Sequence, residues 1–287
     1  MPNLAVESLS LSHFRSHHVV QIDCDPRPVA IYGANGAGKT NILEAVSLLS
    51  PGRGVRRSTA EEMTRRPEAL GWKVSAVLRA QDRLHEIETW SQNGATRQLR
   101  IDGKAATQVM LGRIARVLWL IPAMDRLWIE GAEGRRRFLD RIALSFDPNH
   151  GEQVIIYEKA MRERNRLLKN QVTDAHWYRA IEGQMAATGV QIRRAREEAL
   201  AYIHAAQDQA ETAFPTAHLT LTNSENIEIS DSHDDFAELL ADYRNRDLAA
   251  GRSLAGPHRD DLFGVFAAKN VPAKDSSTGE QKALLIS

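Results

Sequence analysis

Cysteine occurs once in the 287 residues, at Cys24, so no internal disulfide can form. The opening residues also lack the basic stretch followed by an apolar one that marks a secretory leader. A reducing, cytoplasmic setting is therefore expected. Charge of one sign is not in excess either, because Lys+Arg and Asp+Glu are both 37. A neutral molecule has no overall field to draw in a polyanion, so any nucleic-acid partner must be held by a local basic patch. Long hydrophobic runs are missing: the most apolar stretch, Val117 to Met124 behind Arg116, is far shorter than the ~18 residues of a membrane span. No repeat or low-complexity tract is visible. With 43% hydrophobic and 26% charged residues, the chain can bury a core, and its length suits about two domains.

Strand-like alternation marks Leu4 to Leu11, Val19 to Cys24 and Val29 to Tyr32, with Pro26 and Pro28 between the last two. A Gly-rich turn follows, and Ile42, Leu43, Val46 and Leu49 then recur at helical spacing. Further on, Trp72 to Ala80, Leu84 to Trp90 and Gln98 to Ile101 are separated by Gln81-Asp82 and Asn93-Gly94 and closed by Asp102-Gly103, which predicts an antiparallel meander. Arg116 to Ile121 reads as a buried strand, making the sheet mixed. Helical faces follow, first at Phe138, Leu139, Ile142 and Phe146, then from Gly151 to about Phe214, where Trp177, Ile181, Met185, Ile192 and Ile203 keep helical phase with one break at Gln171 to Asp174. His218 to Ile229 alternates again, Ser230 to Asp235 is a polar linker, and Phe236 to Leu248 is helical.

Gly33-Ala34-Asn35-Gly36-Ala37-Gly38-Lys39-Thr40 fulfils G-x-x-x-x-G-K-[ST] between an expected strand and an expected helix. Glycines let backbone amides curl round a β-phosphate, the helix start adds partial positive charge, Lys39 reaches β- and γ-oxygens, and Thr40 Oγ1 ligates Mg²⁺. The motif points to ATP or GTP, and a kinase or GTPase could equally carry it.

The longer string from Tyr32 through Asn41-Ile42-Leu43-Glu44-Ala45 resembles the ABC-type head ATPases of the SMC and RecF group. Three later blocks narrow this to the RecF family: Gly131 to Asp140 resembles G-x-x-x-R-R-x-F-L-D, Gly256-Pro257-His258-Arg259-Asp260-Asp261 resembles G-P-H-R-D-D, and Ser277-Thr278-Gly279-Glu280-Gln281-Lys282 resembles a shortened ABC signature. Leu9 to Arg15 fits as well, with His13 where the family often has Asn. The resemblance implies an α/β P-loop NTPase of the ABC-head type, with a mixed sheet, an antiparallel meander and an inserted helical subdomain. Its parts would be an N-terminal lobe at 1–150, a lever-like insertion at 151–214 and a return to the head at 215–287. It further implies a weakly DNA-stimulated ATPase of repair, replication restart and the SOS response. Such a protein dimerises on ATP and Mg²⁺, engages double-stranded DNA at single-strand gaps, and works with RecR and RecO to load RecA. Nucleotide contacts would come from 33–41 and, across the dimer, from Ser277 and Gly279.

The chain stops at Ser287, inside the helix begun by the signature, so the Walker B strand with its paired acids, the D-loop and the switch region are not in it. We read a truncated record, expect no catalytic residue within the chain and no hydrolysis by it alone, and expect the strand before the P-loop to lack a neighbour. Ser277 and Glu280 also read as a plain capping box. Arg53, Arg56 and Arg57, with Arg65 and Arg66, form the densest basic stretch and are assigned to DNA, together with Arg135 and Arg136, although a helix can turn at most two of Arg135, Arg136 and Arg137 to one phosphate backbone. His258 and Arg259 read either as a nucleotide- or interface-facing loop or as a turn salt bridge. His17-His18 suits an exposed strand pair and no metal, Trp119 and Trp128 suit packing, and Asp125 is a candidate Q-loop substitute. Two other readings stay open: a small-molecule P-loop kinase, and a nucleotide-binding scaffold that does not hydrolyse.

Overall fold

A computed structural model describes residues 4–80, 82–223, 227 and 229–286. These fall into two units, 1–119 and 120–287.

In the first unit, β1 (Leu4–Phe14) and β2 (His17–Asp23) form a hairpin, and α1 (Lys39–Ser47) and the short α2 (Ala60–Met63) precede the meander β3 (Trp72–Ala80), β4 (Arg83–Ser91), β5 (Gln98–Ile101) and β6 (Lys104–Ala105). The sheet runs β2-β1-β3-β4-β5-β6, and α3 (Gln108–Ile114) follows. Asn93 with Gly94, and Asp102 with Gly103, take the positive φ that tight hairpin turns require. Burial alternates along β3, so Trp72, Val74, Ala76 and Leu78 face a core shared with Leu9, Leu11, Ile87 and the inner face of α1. Phe14 meets Trp72 edge-on at 5.6 Å between ring centres.

Two expected strands are not formed. Residues 28–33 and 115–121 belong to no ladder. A strand is counted only where a ladder forms, and the two ladders among the described residues, β2-β1-β3-β4-β5-β6 and β7-β8-β9, include neither segment. Val29 is 60% and Tyr32 94% exposed, and Leu118 and Leu120 are about half exposed. Every described pairing is antiparallel, so the parallel part of the expected mixed sheet is missing with those two segments.

The second unit holds α4 (Ala132–Phe146), the hairpin of α5 (His150–Lys169) and α6 (Ala175–Gln209), then β7 (Ala217–Asn223), α7 (His233–Asp242), α8 (Arg244–Ala250), β8 (Asp260–Phe266), β9 (Val271–Pro272) and α9 (Thr278–Ile286). Its small sheet runs β7-β8-β9. The expected strand to Ile229 is described only in part, because 224–226 and 228 lie outside the described residues. The helix expected over Phe236 to Leu248 is two helices that meet at Tyr243. Trp177, expected inward, is exposed. Its neighbour Tyr178, a 100° step round the helix, takes the inward place, with its hydroxyl donating to Val172 O (2.8 Å) and Arg164 and Arg244 against its ring.

Arg164, fully buried, organises the helical part of this unit. Its guanidinium donates to Glu182 (3.1 Å), Asp247, Ser253 Oγ (2.9 Å) and Leu240 O (2.8 Å), while Arg244 also holds Glu182. Desolvation pushes the Asp247 carboxyl above its ordinary range, against the pull of Arg164.

Candidate functional site

The P-loop is a ring of exposed backbone at the start of α1. Gly36 (φ 85°) and Gly38 (φ 87°) occupy the left-handed region, which turns successive amides toward one side. A side chain at position 38 is excluded twice over, by that φ and because its Cβ would lie 2.5 Å from His17 Nε2 and 2.8 Å from Ser16 Oγ. The Gly38 carbonyl accepts the amides of Asn41 (2.9 Å) and Ile42 (3.2 Å) and the Nε2–H of His17 (3.2 Å). Lys39 Nζ donates to the carbonyls of Gly33 (2.8 Å) and Ala34 (2.7 Å), closing the ring. Ala37 N–H reaches Ala34 O, but the amides of Asn35, Gly36 and Gly38 have no backbone partner among the described residues. These amides, the helix start and the lysine together suit a phosphate chain.

Thr40 carries its hydroxyl on the exposed first turn of α1. No group of three His, Cys, Asp or Glu side chains suited to a metal exists among the described residues. Asn41 is braced sideways: its Nδ2 donates to Ser16 Oγ (2.8 Å) and its Oδ1 accepts from Arg56 (2.9 Å).

Beneath it lies an arrangement that the sequence did not disclose. Glu44, buried on the inner side of α1, accepts from Arg15 (2.6 and 2.9 Å) and Arg56 (2.8 Å), and Arg15 also reaches Ser58 Oγ and Glu62 O. The one available signal was a carboxylate among the apolar residues of the P-loop helix, with partners 29 residues before and 12 after it. Glu44, Ala45 and Leu48 face inward, leaving Leu43 exposed. Arg65 pairs with Glu68. The exposed basic stretch is thereby reduced to Arg53, Arg57 and Arg66, with Arg56 half engaged.

In the second unit, the signature serine begins α9 as a capping box. Ser277 Oγ accepts the Glu280 amide (3.4 Å), and the Glu280 carboxylate accepts the Ser277 amide (2.9 Å) and hydroxyl (3.0 Å). Lys269 and these Ser277 bonds hold the Glu280 carboxyl at about 2. A Cβ at Gly279 would meet nothing within 4 Å, so the turn is open to an approaching group. Helix α9 is tied down by Trp128 Nε1 donating to Gln281 O (3.2 Å) and by Lys282 on Asp125 (3.2 Å). Trp128 packs as expected, and Asp125 is engaged by the signature helix itself.

Of the three consecutive arginines of α4, Arg135 and Arg136 face inward more than the sequence implies, while Arg137 stays exposed. Arg135 grips Asp261 with two bonds (2.7 and 2.9 Å) and donates to the carbonyls of Leu127 and Trp128. Arg136 donates to Asp260 O (2.8 Å), and Arg137 pairs with Glu133. Arg135 and Arg136 thus join α4 to the Gly256 to Asp261 block. Behind that joint, Arg196 bonds Asp140 (2.8 and 3.1 Å), Asp260 (3.0 Å) and Pro257 O (2.7 Å). Burial opposes ionisation of Asp140, yet Arg196 and His150 outweigh it and hold that carboxyl at about 2.

His258 is half-buried and turned toward the protein, where both ring nitrogens are engaged. Its Nε2 lies 3.1 Å from the Ser253 carbonyl, which can only accept, so Nε2 carries the proton and Nδ1 accepts from the Tyr157 hydroxyl (2.8 Å). Desolvation depresses the ring to about 4 from 6.5. Below pH 6.5 the unfolded chain binds a proton here that the folded chain refuses, so this ring removes stability as pH falls from 6.5 to 4, by up to about 3 kcal/mol. Urea midpoints of the wild type should therefore fall more steeply across that window than those of His258→Gln; parallel profiles would contradict this.

A protein-family model described as an AAA domain matches residues 8–115. The DNA replication and repair protein RecF of Mesorhizobium japonicum is 44% identical over 98% of this chain and 77% of its own length. The RecF of Brucella suis is 43% identical over 99% and 76%. Among solved structures, the recombination mediator protein RecF-ATP of the RecFOR pathway superposes with a TM-score of 0.86 at 22% identity, over 99% of this chain and 79% of that one, and RecF-ATPrS with 0.84 at 21%. The structural likeness speaks for the fold, an α/β P-loop head with an antiparallel sheet and helical subdomain. Identity above 40% across nearly the whole chain speaks for descent, and so the chain belongs to the family of the DNA replication and repair protein RecF.

Proposed function

We propose that this chain acts in DNA repair and replication as an ATP-dependent DNA-binding protein. The observation that carries the reading is the ring of amides at Asn35, Gly36 and Gly38, without a backbone partner among the described residues and closed by Lys39. The triphosphate lies in that ring, with Lys39 moving from the loop carbonyls to the β- and γ-oxygens and Thr40 supplying a Mg²⁺ ligand. Asn41 braces the loop from the side. Two copies sandwich the nucleotide, Ser277 Oγ and the Gly279 amide of one capping the triphosphate of the other. The capping box supports this, since it leaves the same helix start facing outward. The protein works in the cytoplasm with RecR and RecO on duplex DNA beside gaps, toward the loading of RecA.

Arg53 and Arg57 contribute duplex contacts, whereas Arg135 and Arg136 serve the fold. Arg53→Glu/Arg57→Glu tests the patch without breaking the Glu44 pairs. Duplex affinity at low salt should drop roughly tenfold or more, and the dependence of log K on log salt should become shallower by about 2. Unchanged affinity and slope would dismiss the patch.

A further inference from the structure

The helical hairpin carries a second basic feature that the P-loop site does not use. Arg162, Asn165, Arg166, Lys169 and Asn170 line an open groove of about 360 Å³ along the last two turns of α5. The spacing i, i+4, i+7 puts the three cations on one face. No carboxylate and no apolar side chain is among the lining residues. Arg166 and Lys169 have no acidic partner among the described residues, and Arg162 has only a long contact to Glu158 (3.5 Å). Complementing the helix dipole would account for the basic residues of the last turn, Arg166 and Lys169, but not for Arg162 a turn earlier.

Asn165 supplies an independent indication. Its Oδ1 is occupied twice, by the Ser253 amide (2.8 Å) and hydroxyl (2.9 Å). The amide is therefore fixed with its NH₂ as the polar end left for a ligand, so Asn165 adds a donor beside the three cations.

We infer that this groove on α5 docks the phosphodiester backbone of DNA. From residue 162 to 169 the helix rises about 10 Å, which matches about three phosphates of one strand at 3.4 Å each along the duplex axis. A protein partner would be expected to find an apolar anchor at the centre of its contact, and none lines this groove. The inference rests on the DNA-binding reading above and adds a second contact surface to it.

The test compares duplex binding by the full chain with MgATP over a salt series. The variants are Arg162→Gln/Arg166→Gln/Lys169→Gln and, as a control of equal charge change, Arg83→Gln/Lys104→Gln/Arg113→Gln. The groove variant should bind roughly tenfold or more weakly at low salt, with the salt slope shallower by about 2–3. The control should follow the wild type in slope, and Arg162→Lys/Arg166→Lys should restore binding, which separates lost charge from lost structure. A groove variant indistinguishable from the control overturns the inference alone, and it does so equally if the groove instead takes an acidic protein segment. A wild type that binds no duplex overturns both this and the DNA-binding reading.

Discussion

Replacing Arg164 by leucine is expected to cost about 3–5 kcal/mol of folding stability, the range for removing one partner of a buried ion pair. The guanidinium is fully buried and serves Glu182, Asp247, Ser253 and a backbone carbonyl together. Without it Glu182 keeps Arg244, and Asp247 keeps, among the described residues, the Leu254 amide at 2.9 Å. Asp247 is already disfavoured as an anion by burial, so the loss falls mainly there. Removing both groups, in Arg164→Leu/Asp247→Leu, should therefore be less damaging than Arg164→Leu alone. Urea unfolding at unchanged m reads both values; a loss below about 1 kcal/mol for Arg164→Leu would contradict the account.

Lys39→Ala is expected to weaken MgATP binding by roughly a hundredfold. The ammonium makes two contacts to charged oxygens, each worth about 1.5–3 kcal/mol, and about 2.7 kcal/mol corresponds to a hundredfold. Its bonds to the Gly33 and Ala34 carbonyls are given up on binding, which offsets part of that gain, so the hundredfold figure lies toward the low end of the two contacts combined. Folding should be untouched, because the side chain is bonded only to the exposed loop.

Local signals were readable in the sequence wherever chemistry and neighbours in the chain settle the outcome. The meander followed from strand-like runs broken at Gln81-Asp82, Asn93-Gly94 and Asp102-Gly103, and the P-loop from its own glycines. Ser277 and Glu280 announced their capping box. Long-range partners were not readable. Val29 to Tyr32 and Arg116 to Ile121 have the composition of strands, but a strand exists only beside another, and no local pattern says whether one is there. Glu44 looked like one residue of a motif string, and Arg135 looked like part of a basic run; their partners lie 29 and 126 positions away. His258 resembled a loop residue until Tyr157, 101 positions distant, covered it.

The central claim is that nucleotide sits in the ring at 33–40. Calorimetric titration of MgATP into the wild type and Lys39→Ala, with amide hydrogen exchange followed on the same samples, tests it most directly. Saturable binding by the wild type, a hundredfold loss in the variant and new protection confined to peptides spanning 33–41 are expected. Equal affinity in the two proteins, or binding that leaves those amides exchanging as before, would contradict it.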